Sequence, residues 1–292
     1  MIQDKSFFNY VKLLNIKANF LSTEFFAGEY ESAFKGQGLE FEEIREYEFG
    51  DDIRLIDWKN TAKTGKLHIK KYHEEREIQV ILAVDISPSM EYGSKWQTKI
   101  ELANEIAALI SYTALKSNDK VGLLLFDVEP QKFIPPRKGR NHIWNIIRTL
   151  ALQQVLEKKY EKNQNSIEKV LKYLADAIKR KAVLFILSDF ISEDFSKTLK
   201  ALNKKFDIVP VMILDKYEYE IFDKIKFFNL MDSESFFSFI LKNKRDFNKI
   251  LKDFYEKRKN YFKKSHIEPL VIFTHKPYIQ EFIKYFRKRK LK

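Results

Sequence analysis

The stretch Ile78-Gln79-Val80-Ile81-Leu82-Ala83-Val84-Asp85, followed at once by Ile86-Ser87-Pro88-Ser89, decides the fold. Val80–Val84 is an unbroken apolar run, rich in β-branched residues and closed by a carboxylate, as a strand buried on both faces is. Downstream, Thr98–Lys116 carries Ile100, Ala103, Ile106, Ala107 and Ile110 at helical spacing. Lys120–Phe126 reads as the next strand, and Gln131–Ile134 as a short edge strand ended by Pro135-Pro136. His142–Val155 and Ile167–Lys179 read as helices, Ala182–Leu187 as a strand with Asp189 just beyond it, Asp194–Lys204 as a helix and Phe206–Leu214 as a strand. Two late helices, Phe247–Phe262 and Pro277–Lys288, flank a strand at Pro269–Thr274. This alternation predicts an α/β architecture, a doubly wound, mostly parallel sheet with helices on both faces. Upstream the texture changes. Residues 1–75 hold short apolar groups separated by Gly, Asp and charge, and read as an N-terminal segment packed on a domain of residues 76–292.

A chain of 292 residues with 45% hydrophobic content can bury a sizeable core. Cysteine is absent, which excludes disulfide frameworks, thiolate metal sites and cysteine nucleophiles. No apolar run approaches the ~18 residues of a membrane span, and Met1–Phe8 shows no signal-peptide pattern, so a cytoplasmic protein is expected. The net charge of +12 suggests nucleic acid, but its distribution does not. Residues 242–292 carry 17 Lys/Arg against 5 Asp/Glu, so the whole excess sits in the C-terminal stretch and the rest of the chain is neutral. No nucleic-acid partner is expected.

In α/β sheets the functional edge lies beyond the carboxyl ends of the strands. Asp85 and Asp189 both fall there. Asp85, Ser87 and Ser89 alternate along an extended loop, so one carboxylate and two hydroxyls face one point. These hard oxygen ligands suit Mg²⁺ or Mn²⁺. The competing reading is that they cap the following helix; a second carboxylate arriving from another strand favours the metal.

The strand ending in Asp85-Ile86-Ser87-Pro88-Ser89, its following helix and the later strand ending in Ser188-Asp189-Phe190 resemble a von Willebrand factor A domain, which carries a metal-ion-dependent adhesion site. The resemblance implies that Asp85, Ser87 and Ser89 form the first ligand loop and Asp189 the third. The second loop normally supplies a Thr just before a helix. Here Asn165 stands at that place and Ser166 follows, so either Asn165 ligates through its amide oxygen or Ser166 substitutes by a register shift.

A longer match lies upstream. Gly36-Gln37-Gly38-Leu39-Glu40-Phe41 leads to Arg45-Glu46-Tyr47 and to Gly50-Asp51-Asp52-Ile53-Arg54-Leu55-Ile56-Asp57-Trp58. With Asn118-Asp119-Lys120-Val121-Gly122 and Pro135-Pro136-Arg137-Lys138-Gly139, this series resembles the domain of unknown function 58 family, in the branch associated with MoxR-type AAA+ ATPases. The resemblance spans residues 25–290. Physically, Gly50-Asp51 is a turn signal, Asp52 a cap, and Arg54 with Asp57 a helical-turn ion pair beside Trp58. One reading is a structural clasp with Trp58 packed against the sheet; the other is a docking surface.

The chain has no Walker A sequence, dinucleotide fingerprint, nucleophile elbow or His-Glu-x-x-His zinc pair. The expectation is therefore a non-enzymatic adaptor that binds protein clients through its metal. The resemblance implies work with a MoxR-type AAA+ ATPase, chaperone-like, in protein assembly, maturation or cofactor insertion. Two alternatives compete with it. One is a hydrolase using a metal-bound water at the same edge. The other is peripheral membrane contact through the basic C-terminus, where Ile279, Phe282, Ile283 and Phe286 share a helical face.

Overall fold

In the computed structural model, which describes residues 2–34, 39–74, 78–94, 96–155, 167–218, 228–231, 238–241 and 244–290, the chain opens with two helices, α1 (Ile2–Leu21) and α2 (Glu24–Phe34). A small module follows: β1 (Leu39–Glu46), a 3-10 turn, α3 (Trp58–Thr64) and β2 (His68–Glu74), with β1 and β2 antiparallel. The main body comprises β3 (Gln79–Asp85), α4 (Lys99–Lys116), β4 (Lys120–Phe126), β5 (Pro130–Arg137), α5 (Arg140–Val155), α6 (Ile167–Ala177), β6 (Val183–Ser188), α7 (Ser196–Leu202) and β7 (Asp207–Leu214). A short antiparallel pair, β8 (Phe228–Met231) and β9 (Ser238–Leu241), precedes α8 (Lys244–Ser265), β10 (Leu270–Phe273) and α9 (Ile279–Lys290).

The central sheet has the order β10-β7-β6-β3-β4-β5 and is parallel except for β5. Its strand pattern explains its position. Val80, Leu82 and Val84 of β3 enter one core with α1, α2, α4, α5 and α9, while Ile81 and Ala83 enter the other with α6, α7 and α8. Alternate residues of one strand thus serve two helix layers. α4 is started by a capping box: Thr98 Oγ1 accepts from Glu101 N at 3.2 Å and Glu101 Oε2 accepts from Thr98 N at 2.8 Å.

One expectation is corrected. The edge strand does not stop at Pro135-Pro136 but runs to Arg137. β5 pairs only with β4, and an edge strand tolerates residues that cannot donate. In the N-terminal segment, α1 and α2 pack on the main body, through Val11, Leu14, Ala18, Phe26 and Tyr30. The module of residues 39–74 buries only Asp57 and Ile69 among its described side chains.

Gly122 marks a close approach of β4 to β5. A Cβ there would stand 3.0 Å from Ile134 O, 3.1 Å from Pro136 N and 3.1 Å from Ile81 Cδ1. Gly122→Ala is expected to destabilise by about 1–3 kcal/mol, the range for overpacking. Urea unfolding measures it, and an unchanged midpoint would mean that β5 moves aside freely.

Candidate functional site

Four strands deliver polar residues to one edge of the sheet. β3 ends at Asp85, and Ile86 N donates to Phe126 O at 2.7 Å, tying the following loop to β4. Asp85 Oδ1 accepts from Ser87 N at 2.9 Å, and Oδ2 accepts from Ser188 Oγ at 2.6 Å. Ser87 Oγ and Ser89 Oγ lie 3.1 Å apart, and Ser89 is among the groups that lower the pKa of Asp189. Asp85, Ser87, Ser89 and Asp189 therefore meet, as their spacing predicts. Asn165 and Ser166 lie outside the described residues.

Asp189 sits in a tight turn. Ser188 Oγ accepts from Phe190 N at 2.8 Å, and Phe190 takes a φ of 56°, held there by its ring packing on Phe195 and Phe262. A bulky residue at positive φ is uncommon and marks a position fixed by its surroundings. Arg258 Nη1 donates to Asp189 O at 2.8 Å from α8.

The residue that sequence reasoning missed is Lys99, the first residue of α4. Its ammonium donates to Asp189 Oδ2 at 2.7 Å and also pairs with Glu218 Oε1. The side chains of Lys99 and Asp189 are both 0% exposed, and that of Glu218 is 21% exposed. Glu218 lies in the turn after β7, where its Oε2 accepts from Asp215 N at 3.0 Å. Asp215 completes the edge: its Oδ2 accepts from Ser94 N, Ser94 Oγ and Thr274 Oγ1 at 3.0, 2.9 and 2.6 Å. One signal could have found Lys99. A cation in the first turn of a helix opposes the macrodipole, so a lysine there, at the start of the helix that follows the Asp-x-Ser-x-Ser loop, asks for a local reason.

The electrostatics follow. Burial, with the charge of Asp189, pushes the Asp85 carboxyl up to about 7. Burial acts on Asp189 in the same direction, but the Lys99 charge and hydrogen bond, with Arg258 and Ser89, hold it below the usual carboxylate range. Burial alone would lower Lys99; Asp189 and Glu218 outweigh it and raise its pKa.

The donor set is right in kind for a hard divalent ion, carboxylates and hydroxyls together. Its arrangement does not fit one while Lys99 is in place, because an ammonium already lies against Asp189. Among the described residues, no three Asp, Glu or His side chains are grouped to hold a metal ion.

The upstream motif has a different geometry from the expected clasp. Gly50 has a φ of 110°, which suits glycine. Asp51 accepts from Arg45 Nη2 at 2.7 Å and from Glu48 N at 2.9 Å. Arg54 pairs with Asp52, at 2.7 Å, and not with Asp57. Asp57 instead caps α3, accepting from Lys59 N at 3.0 Å and Asn60 N at 3.2 Å. Trp58 is 67% exposed, so it is not packed against the sheet.

The chain belongs to the family described as protein of unknown function DUF58, whose model matches residues 43–258. It is similar to uncharacterized proteins of Mycobacterium bovis and Mycobacterium tuberculosis, at 27% identity over 197 residues. The match covers 67% of this chain and 61% of each relative, so the chain spans about three fifths of the relatives' length. Among solved structures it is similar to the conserved hypothetical protein BatB from Bacteroides thetaiotaomicron, with a TM-score of 0.45 at 12% identity over 74% of this chain and 100% of that one. An aerotolerance-related membrane protein from Bacteroides fragilis gives 0.44 at 13% identity over 73% and 98%. Among the described residues, no helix is long and apolar enough to cross a membrane.

Proposed function

We propose that the protein is a non-enzymatic protein-binding adaptor, built on a doubly wound, von Willebrand factor A-like domain, that works beside a MoxR-type AAA+ ATPase in protein assembly, maturation or cofactor insertion. On this reading it acts in the cytoplasm. One observation carries it. The module of residues 39–74 pairs Arg45 with Asp51 and Arg54 with Asp52, yet leaves Trp58 two-thirds exposed, and Phe49 and Ile53 with it. The antiparallel β1–β2 pair and the Asp57 cap on α3 give the module its shape. Exposed aromatics on a fixed shape suit an interface, where Trp is among the commonest anchors. The module also lies largely within the residues that define the family.

The alternatives have less support. A hydrolase needs substrate to reach the polar edge, but Asp85, Ser87, Ser89 and Asp189 are all buried. A membrane-surface helix needs a free apolar face, but Phe282 and Phe286 of α9 are buried in the core.

The test uses the purified chain and the purified MoxR-type ATPase of the same organism. Trp58→Ala is expected to weaken their binding by about 30-fold, the effect of losing a hot-spot side chain worth ~2 kcal/mol. Its melting temperature should stay at the wild-type value. An absence of binding by the wild type, or full affinity in the variant, would overturn this reading.

A further inference from the structure

We propose that the ammonium of Lys99 takes the place of the divalent ion at the strand edge, and that Glu218 takes the place of the outside carboxylate, so the site is closed within the chain and binds no metal.

The first support is position. Lys99 Nζ is 2.7 Å from Asp189 Oδ2, while Ser89, which helps to lower the pKa of the same carboxylate, stands 3.1 Å, oxygen to oxygen, from Ser87. Mg²⁺ would need six oxygens at roughly 2.0–2.1 Å. An ammonium bonded to Asp189 already brings to that carboxylate the positive charge that a divalent ion would supply.

The second support is burial. Lysine is almost never fully buried unless paired, and Lys99 is 0% exposed with two carboxylate partners on two elements, Asp189 after β6 and Glu218 after β7. An ion-binding site needs its cation position reachable from solvent. Here the position is covered by the turn that carries Glu218, and Asp215 fastens that turn to the Ser94 loop and to Thr274 after β10. The third support is local sequence. The first turn of α4 is an unfavourable place for a cation, and the capping box already satisfies the helix start without Lys99. The lysine is accounted for by the carboxylates it neutralises.

This inference goes beyond the adaptor reading, and its test involves no ATPase, so each can fail without the other. Full-length wild type and Lys99→Ala are titrated with MnCl₂ and MgCl₂ by calorimetry and followed by thermal melting. The wild type is expected to show no binding heat and no shift with either salt or with EDTA. Lys99→Ala frees the cation position and is expected to gain Mn²⁺ binding, with melting raised by about 5 °C at saturation. Metal binding by the wild type that Asp85→Asn abolishes would overturn the proposal, as would a folded Lys99→Ala that gains none. Should Lys99→Ala not fold, the lysine ammonium of the wild type is read by proton–nitrogen NMR. A protected Nζ signal that moves in Glu218→Gln supports the proposal; its absence overturns it.

Discussion

Methionine in place of Lys99 is expected to destabilise the folded chain by about 3–5 kcal/mol, the cost of removing one partner from a buried ion pair. Methionine keeps much of the lysine's length and fills the space, so the loss is electrostatic and not a cavity. It leaves Asp189 buried without its cation, beside Asp85, whose own carboxyl burial has already pushed up to about 7. The second change in the cycle isolates the pair. Asp189→Asn removes the stranded charge, so Lys99→Met with Asp189→Asn is expected to recover a substantial part of the loss. The pH dependence has a definite sign. In the wild type Asp189 is depressed, so its contribution is fully present above the ordinary carboxylate range and is lost as pH falls through its folded value. In Lys99→Met that contribution is gone, and the gap between the two proteins should close on acidification. Denaturant unfolding of the four proteins reads all of this. A Lys99→Met protein within about 1 kcal/mol of wild type would mean that the pair is not buried in solution.

The main sheet was legible because buried parallel strands leave an unmistakable record. Val80–Val84 and Ala182–Leu187 have no solvent-facing residues to interrupt the apolar run, and β3 and β6 lie within a residue or two of those stretches. The convergence of Asp85 and Asp189 was legible for a related reason, since both follow central strands that run the same way. What failed to show was α1 and α2. α1 buries Val11, Leu14 and Ala18 but exposes Leu13, Ile16 and Phe20, so apolar residues fall on both sides and the helical period is blurred. Trp58 misled for the opposite reason: a tryptophan beside an N-cap suggests an anchor, and nothing in the sequence states what surface it would meet. Lys99 and Glu218 lie 119 positions apart, and their pairing exists only once β3, β6 and β7 lie side by side.

Phe286→Ala in α9 is expected to cost about 3–5 kcal/mol, a large share of the ~5–15 kcal/mol that holds a domain together. Phe286 is 1% exposed and its ring lies 5.7 Å from Phe26, 6.4 Å from Tyr30, 5.3 Å from Phe34 and 5.7 Å from Phe282, mostly edge-on. Such pairs add to the area they bury. The ring is the joint between the last helix and α2, so its loss should release both ends of the chain together. That gives the basic C-terminus a test cleaner than deletion. Removing residues 277–292 would expose Phe26 and Tyr30 and unfold the N-terminal helices, whatever the charges do. Replacing Lys284, Arg287 and Lys288 by glutamine leaves Phe286 seated and breaks pairs with Glu281, Glu29 and Glu268 in which each cation is more than half exposed. Exposed pairs contribute little, so the triple variant should melt near the wild type. Binding to anionic vesicles by the wild type and not by the triple variant would assign the basic face a membrane role. A stable Phe286→Ala protein would go further, because it would mean that the apolar face of α9 is not needed inside and is free to meet a lipid surface.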